Sequence, residues 1–343
     1  MFCCFSTILD MDYYNISSYL LVFPIKSLLR GVIMLKYIIR RILFIIPALL
    51  GISLTVFVIM TVIPGDPGTL ILGDKATVEQ RNMLNEQLGY NKPFTERYLL
   101  YITDAIHGDF GNSYQTRQPV INEILVRFPK TLKLAILSLL TAMFIGIPIG
   151  ILSAIKQYSS LDILSTTTAL FISCIPTFWM GLLLMLLFSL HLDILPSSGS
   201  DTLTHYILPT ITLALPLSSG LLRLTRTSML EIINQDYIRT ARSKGLKEFI
   251  IVVLHAFKNA SLPIVTTLGM SFGSLLGGTV IIESIFAMPG LGTLMINAIR
   301  SKDIPQVMGS VLFLSSMFCL VMLGIDILYA LLDPRVKTQY EKI

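Results

Sequence analysis

Six stretches of the sequence stay apolar for long enough to cross a lipid bilayer, which takes ~20 residues of helix. They cover about 42–63, 134–155, 164–190, 206–222, 262–282 and 307–332. Within each, apolar residues run on rather than alternate, so helices are expected and barrel strands are not. The third stretch is long and carries Pro176, where a kink is expected. The fourth is short and contains Pro209 and Pro216. Only 14% of the residues are charged, against about 25% in a soluble domain, so much of the surface must face lipid. The expected fold class is an all-α polytopic membrane protein with six transmembrane helices.

Lys and Arg near the ends of the stretches set the orientation. With the N-terminus inside the cell, Lys36, Arg40, Arg41, Lys156, the basic residues between the fourth and fifth stretches, and Arg335, Lys337 and Lys342 all fall inside. The loop HLDILPSSGSDTLTH has no Lys or Arg, and the last outer loop has only Arg300 and Lys302. The net charge of +5 is read as orientation. No basic patch interleaved with aromatics lies elsewhere, so a nucleic-acid partner is not expected. The plan is an N-terminal extension over 1–33, a cytoplasmic lead and first span over 34–63, and an extracytoplasmic segment over 64–133. A five-helix core over 134–332 follows, with a cytoplasmic loop over 223–261, and then a cytoplasmic tail over 333–343. Residues 1–33 fit the rest poorly. Their apolar part is too short to span and no basic region precedes it. Met34 is therefore expected to be the natural start, with an amphipathic lead-in on the membrane as the alternative.

The loop between the fourth and fifth stretches gathers Arg223, Arg226, Arg239, Arg242, Lys244, Lys247 and Lys258 against Glu231, Asp236 and Glu248. Gly245 accepts a positive φ cheaply and suits a helix stop after Lys244. Beyond it, Phe249, Val252, Val253, Ala256 and Phe257 recur at helical spacing and predict a second short helix with one apolar face. Two short helices hinged at a glycine could pass a mechanical input to a membrane bundle. A solvated loop obeying the positive-inside rule is the plainer alternative.

Arg239-Thr240-Ala241, then Gly245, then Leu262-Pro263 resembles the EAA loop of ABC-importer permeases, in the version used by the dipeptide/oligopeptide/nickel family. Three further elements resemble the same family. MLKYIIRRILF from Met34 matches its usual beginning. HGDFGNSYQTRQPV is similar to its GDLGxSxxxxxPV element, with Phe110 in the leucine position. Phe286 followed by Pro289-Gly290-Leu291-Gly292 is similar to its F-x-x-PGLG element, with Met288 where tryptophan is often found. The resemblance covers roughly 34–337 and is closest to the first permease of the pair. It implies the type I importer fold and a prokaryotic inner or plasma membrane location. It also implies that Arg239, Thr240, Ala241 and Gly245 couple to an ATPase, and that Pro289, Gly290, Leu291 and Gly292 belong to an external gate. The implied partners are a second homologous permease, two ATPase subunits, an extracytoplasmic solute-binding protein and membrane lipid. ATP and magnesium would be held by the ATPases, and this chain would bind no cofactor.

Gly269, Gly273 and Gly277 are spaced by four on one helix face and suit close helix packing or the transport path. Gly146 and Gly150 repeat the spacing in the second stretch. Thr266, Thr267, Ser271, Ser274 and Thr279 could offer hydroxyls to a passing amide backbone. Asp326 is the one ionisable residue well inside the sixth stretch, ~10 Å from Asp333 along a helix. It lies close enough to the inner interface to be hydrated or to pair with a basic group of the cytoplasmic loops, and structural pairing is expected over a proton relay. Thr95 is a possible helix cap, and Gly89 and Gly108 are stops.

No catalytic constellation stands out. His107, His191, His205 and His255 are scattered, and neither H-E-x-x-H, G-x-S-x-G nor a phosphate loop is present. Cys3, Cys4, Cys174 and Cys319 suggest neither a disulfide framework nor a metal site. The expected function is the permease subunit of an ATP-driven importer of di- or oligopeptides working by alternating access. A nickel or metal-chelate importer shares every motif, and an ion-coupled carrier or channel is the alternative from another class.

Overall fold

The computed structural model describes residues 13–62, 66–73 and 75–332, with side chains from 38 to 327 within those bounds. The expectations for Met34, Lys36, Asp333 and the tail residues Arg335, Lys337 and Lys342 lie outside the described side chains. Among the described residues every named element is helical, and one isolated antiparallel bridge joins Asn112 to Pro119. In order these are α1 (Tyr13–Val62), α2 (Pro67–Leu72), α3 (Val78–Gln87), α4 (Phe94–Ile106), α5 (Val120–Ile155), α6 (Ser160–Cys174) and α7 (Thr177–Met185). Then come α8 (Ile207–Ile233), α9 (Asp236–Ser243), α10 (Glu248–Ile250), α11 (Lys258–Gly278), α12 (Val280–Ile285), α13 (Leu291–Arg300) and α14 (Ile304–Leu332). π-helical turns follow α7 (Leu186–His191) and join α10 to α11 (Ile251–Phe257).

Among the described residues, five helical stretches have the length and apolarity to cross a membrane: Ile38–Val62, Val120–Ile155, Leu203–Ile233, Glu248–Gly278 and Ile304–Ile327. The sixth candidate is the α6–α7 pair, bent by 98°. The expected kink at Pro176 is thus a sharp corner. Proline holds the preceding residue out of helical geometry, and Ile175 sits at φ −83°, ψ 124°. Helix α8 also runs eleven residues past the expected end of the fourth span, because Thr225, Ser228 and Met229 are buried against its neighbours. The loop expected from residue 223 therefore begins only after Ile233.

The chain divides into two compact units, residues 49–322 and a smaller one made of 1–48 with 323–343. In the smaller unit Arg41 meets Asp326 at 3.0 Å. Asp326 is thus paired with a basic group, as expected, and the base comes from the start of the first span and not from a loop.

In the larger unit, α5 and α8 form the central pair. A methyl group on Gly146 would sit 2.6 Å from the Ser218 carbonyl oxygen, and one on Gly150 2.7 Å from that of Leu222. Only glycine allows backbones this close, one helical turn apart. Leu134, Leu208, Leu276, Ile282 and Phe286 fill the core on one side of this pair. Ala154, Met229, Ile238 and Ile251 close one end of the bundle. Val120, Ile124, Leu291 and Leu294 close the other.

A small helical element precedes α5. Thr77 caps α3 reciprocally with Gln80. The Asp66 carboxylate caps α2 through Thr69 and also accepts from Asn85, whose own oxygen takes the Gly68 N–H. Gly89 (φ 66°) and Gly108 (φ 83°) stop α3 and α4 in left-handed conformations. Thr95 does not cap α4; Pro93 occupies that position with no side-chain hydrogen bond.

Candidate functional site

Helix α9 ends in a double hydrogen-bonded cap. The Leu246 N–H donates to the Ala241 carbonyl (3.4 Å) and the Gly245 N–H to that of Arg242 (2.9 Å). This closure requires a left-handed residue after the cap, and Gly245 supplies it at φ 77°. Arg242 then reaches across the turn and donates to both Glu248 oxygens, at 3.2 and 2.7 Å. Their opposite charges hold the guanidinium above its ordinary pKa through that hydrogen bond. The glycine joint is therefore clamped by a bidentate ion pair.

Ile238 and Ala241 seat α9 on the bundle end, in contact with Ala154, Met229 and Val252. Arg239 and Thr240 are exposed, with Arg239 3.8 Å from Asp236 and the Thr240 hydroxyl donating to its own helix at the Asp236 carbonyl. The apolar face expected beyond Gly245 is only partly right. Val252 and Ala256 are buried with Ile251, but Phe249 is 76% exposed and Val253 40%. The π-helical turns at Ile251–Phe257 carry an extra residue per hydrogen-bonded ring and rotate the stripe out of its 3.6-residue phase.

Sequence reasoning missed the group around which the other end is folded. Glu283 is 1% exposed. It accepts hydrogen bonds from the Thr131 hydroxyl (2.6 Å), the Thr279 hydroxyl (3.2 Å) and the Thr293 N–H (3.1 Å). Thr131 in turn accepts from the Leu291 N–H at 2.8 Å. A methyl group on Gly290 would sit 2.4 Å from the Glu283 carboxyl carbon, and one on Gly292 2.6 Å from the Val280 backbone. These two glycines provide space. The left-handed residue of the turn is Ala287, at φ 45°. Phe286 and Met288 are buried, Pro289 is half-buried, and the Thr293 hydroxyl donates to the Met288 carbonyl. A carboxylate placed four residues after Thr279 at a span's edge was the available signal.

Two other long-range ties were equally invisible. The Ser113 hydroxyl of the HGDFGNS element donates to Asp303 at 2.5 Å, ahead of α14. Asp162 at the start of α6 takes a bidentate pair from Arg226 of α8 at 2.6 and 2.8 Å, and accepts from Ser153 as well.

The glycine row on α11 does not act as one face. A methyl group on Gly273 would strike the Phe318 ring at 2.8 Å, whereas one on Gly277 meets nothing within 4 Å. Gly269 is half-buried. A cavity of about 530 Å³ opens beside this row, with Thr177, Leu213, Pro216, Ser271, Ser274 and Gly278 in its wall. Of the expected hydroxyls, Thr266, Thr267 and Ser274 donate to their own helix and Thr279 to Glu283.

Helical spans around a central pair, a hinged helix seated on one end and a folded-back turn at the other define a polytopic transport permease. The chain belongs to the family described as the binding-protein-dependent transport system inner membrane component, whose model matches residues 146–338. The companion N-terminal model of the family matches 34–135. The chain is 39% identical to the glutathione transport system permease protein GsiC of Escherichia coli strain K12 over 304 residues, 89% of this chain and 99% of that protein. Against GsiC of Salmonella typhimurium strain LT2 the identity is 40% over the same shares. A solved structure titled as an inward-facing conformation of the MetNI methionine ABC transporter shares the fold, with TM-score 0.52 and 18% identity. That match covers 61% of this chain and 96% of the other. The protein is thus a permease subunit of an ABC importer, a membrane transport component and not an enzyme.

Proposed function

We propose that the chain lines one half of a path for short peptides, opened and closed by alternating access. The observation that carries this reading is the clamped hinge, a helix seated on the bundle by Ile238 and Ala241 with Arg239, Thr240 and Phe249 turned outward. An outward face on a rigidly seated helix is what a separate motor needs in order to push. In this reading the hinge faces the cytoplasm, both termini lie inside, and two ATPase subunits hold ATP and magnesium. A second permease of similar fold completes the path, and an extracytoplasmic solute-binding protein delivers at the end formed by Glu283 and the Pro289–Gly292 turn. Ser271 and Ser274 in the cavity wall suit passing amide groups. The curated relatives are named for glutathione, a tripeptide, which supports a peptide-type solute.

The test is uptake by the complete transporter in proteoliposomes. With the solute-binding protein outside and ATP inside, labelled glutathione or trialanine should accumulate in the lumen. Accumulation of neither, by a complex that hydrolyses ATP on adding its binding protein, would remove the peptide assignment.

A further inference from the structure

A second cavity, of about 400 Å³, lies between α3, α4, Phe57 of α1, the 109–114 loop and the start of α14. Its volume is in the range of small-ligand sites. Arg97 stands in its wall, with its guanidinium 4.5 Å from the Tyr90 ring centroid and 5.6 Å from that of Phe57. The two rings fix the plane of the fork. The arginines at 226 and 242 give their N–H groups to carboxylates. Among the described residues Arg97 makes no ion pair and donates no side-chain hydrogen bond. Such a held, unpaired fork matches a carboxylate bidentately.

A second, independent group points the same way. The Tyr101 hydroxyl in the same wall is buried and has no hydrogen-bond partner among the described residues. Burial raises its pKa above the ordinary range, so it keeps its proton and remains a donor. A buried donor without an acceptor is costly unless something supplies one. Asp104 and Asp109 also line the cavity and are exposed, and their carboxylates suit a cation and not an anion.

We propose that this cavity binds a small zwitterion, a free amino acid or dipeptide, with its carboxylate on Arg97 and Tyr101 and its ammonium toward Asp104 and Asp109. The site is separate from the Ser271–Ser274 cavity and stands whether or not the transported solute is a peptide.

Chemical protection tests it on the purified complete transporter. Phenylglyoxal modifies accessible arginine, and peptide mass mapping reads Arg97 alone. Glycylglycine should slow modification of Arg97 several-fold, and glycylglycine methyl ester should not. Calorimetric binding of glycylglycine should weaken roughly tenfold or more in Arg97→Gln, and about threefold to tenfold in Tyr101→Phe. The tyrosine variant keeps the aromatic packing, so the proposal remains exposed even if Arg97→Gln does not fold. Equal protection by the methyl ester would overturn the carboxylate role. Protection by the solute-binding protein alone, with none from millimolar glycylglycine, would mean that a protein side chain fills the cavity, and would overturn the small-solute assignment.

Discussion

A methyl group on Gly290 would lie 2.4 Å from the Glu283 carboxyl carbon, whereas one on Gly245 would meet nothing within 4 Å. The two glycines are needed for different reasons, and alanine separates them. Gly290→Ala must displace a buried carboxylate, and overpacking of this kind costs about 1–3 kcal/mol. It should lower the thermal midpoint of the detergent-purified subunit. Gly245→Ala must hold a side-chain-bearing residue at φ 77°, which costs roughly 1–2 kcal/mol, but that strain is local to the hinge and should leave the global midpoint nearly unchanged. Equal shifts in the two variants would contradict this division. The Asp162–Arg226 pair is also testable residue by residue. Asp162 is 4% exposed at its side chain, so Arg226→Leu leaves an uncompensated buried charge and should destabilise by about 3 kcal/mol. Adding Asp162→Ser to the same chain should recover part of that loss, because the stranded charge is then gone. A double variant worse than the single would sink this account.

At the scale of elements, the clamp joins α9 to the helix that follows. Glu248→Gln removes the charge that Arg242 reaches, at 2.7 Å, while leaving the glycine cap intact. We expect the seated helix to remain, held by Ile238 and Ala241, but transport to lose coupling, read as a lower ratio of solute moved to ATP hydrolysed. Gly245→Pro goes further, since proline fixes φ near −65° and removes the N–H that Arg242 accepts; uptake should stop in a complex that still assembles. Gly273→Leu would drive α11 away from the Phe318 ring and should prevent isolation of a stable complex. The apolar runs made most of these elements readable, because a bilayer demands a length and composition that show in one sequence. Their ends were not. Helix α8 continues past residue 222 on the strength of Thr225, Ser228 and Met229, whose burial depends on packing that a sequence does not display. The corner at Pro176 was legible as a kink but not as a 98° bend.

For the whole molecule, two ties that fix one end of the larger unit join residues far apart in the chain. Ser113 and Asp303 are 190 positions apart, and Thr131 and Glu283 are 152. Motif resemblance located one partner of each neighbourhood, Ser113 in the HGDFGNS element and the glycines beside Glu283. Nothing in the order of residues named the other partner, since a hydroxyl–carboxylate pair leaves no local pattern. The proposed orientation is checked on intact cells. A Ser243→Cys variant should resist an impermeant maleimide added outside and react after permeabilisation; labelling from outside would invert the assignment and leave α9 with no motor to meet.

The π-helical turns at Ile251–Phe257 hold one residue more than a regular helix would use over the same span. Each residue of an α-helix turns the chain by about 100°. The slacker winding absorbs that residue, so deleting it would restore an ordinary helix with the preceding turn at nearly its present bearing, whereas regular winding of every residue present would swing that turn about a quarter of a revolution around the axis. The slack turn therefore sets the compass bearing at which α9 sits on the bundle, the face that the proposed function gives to a motor.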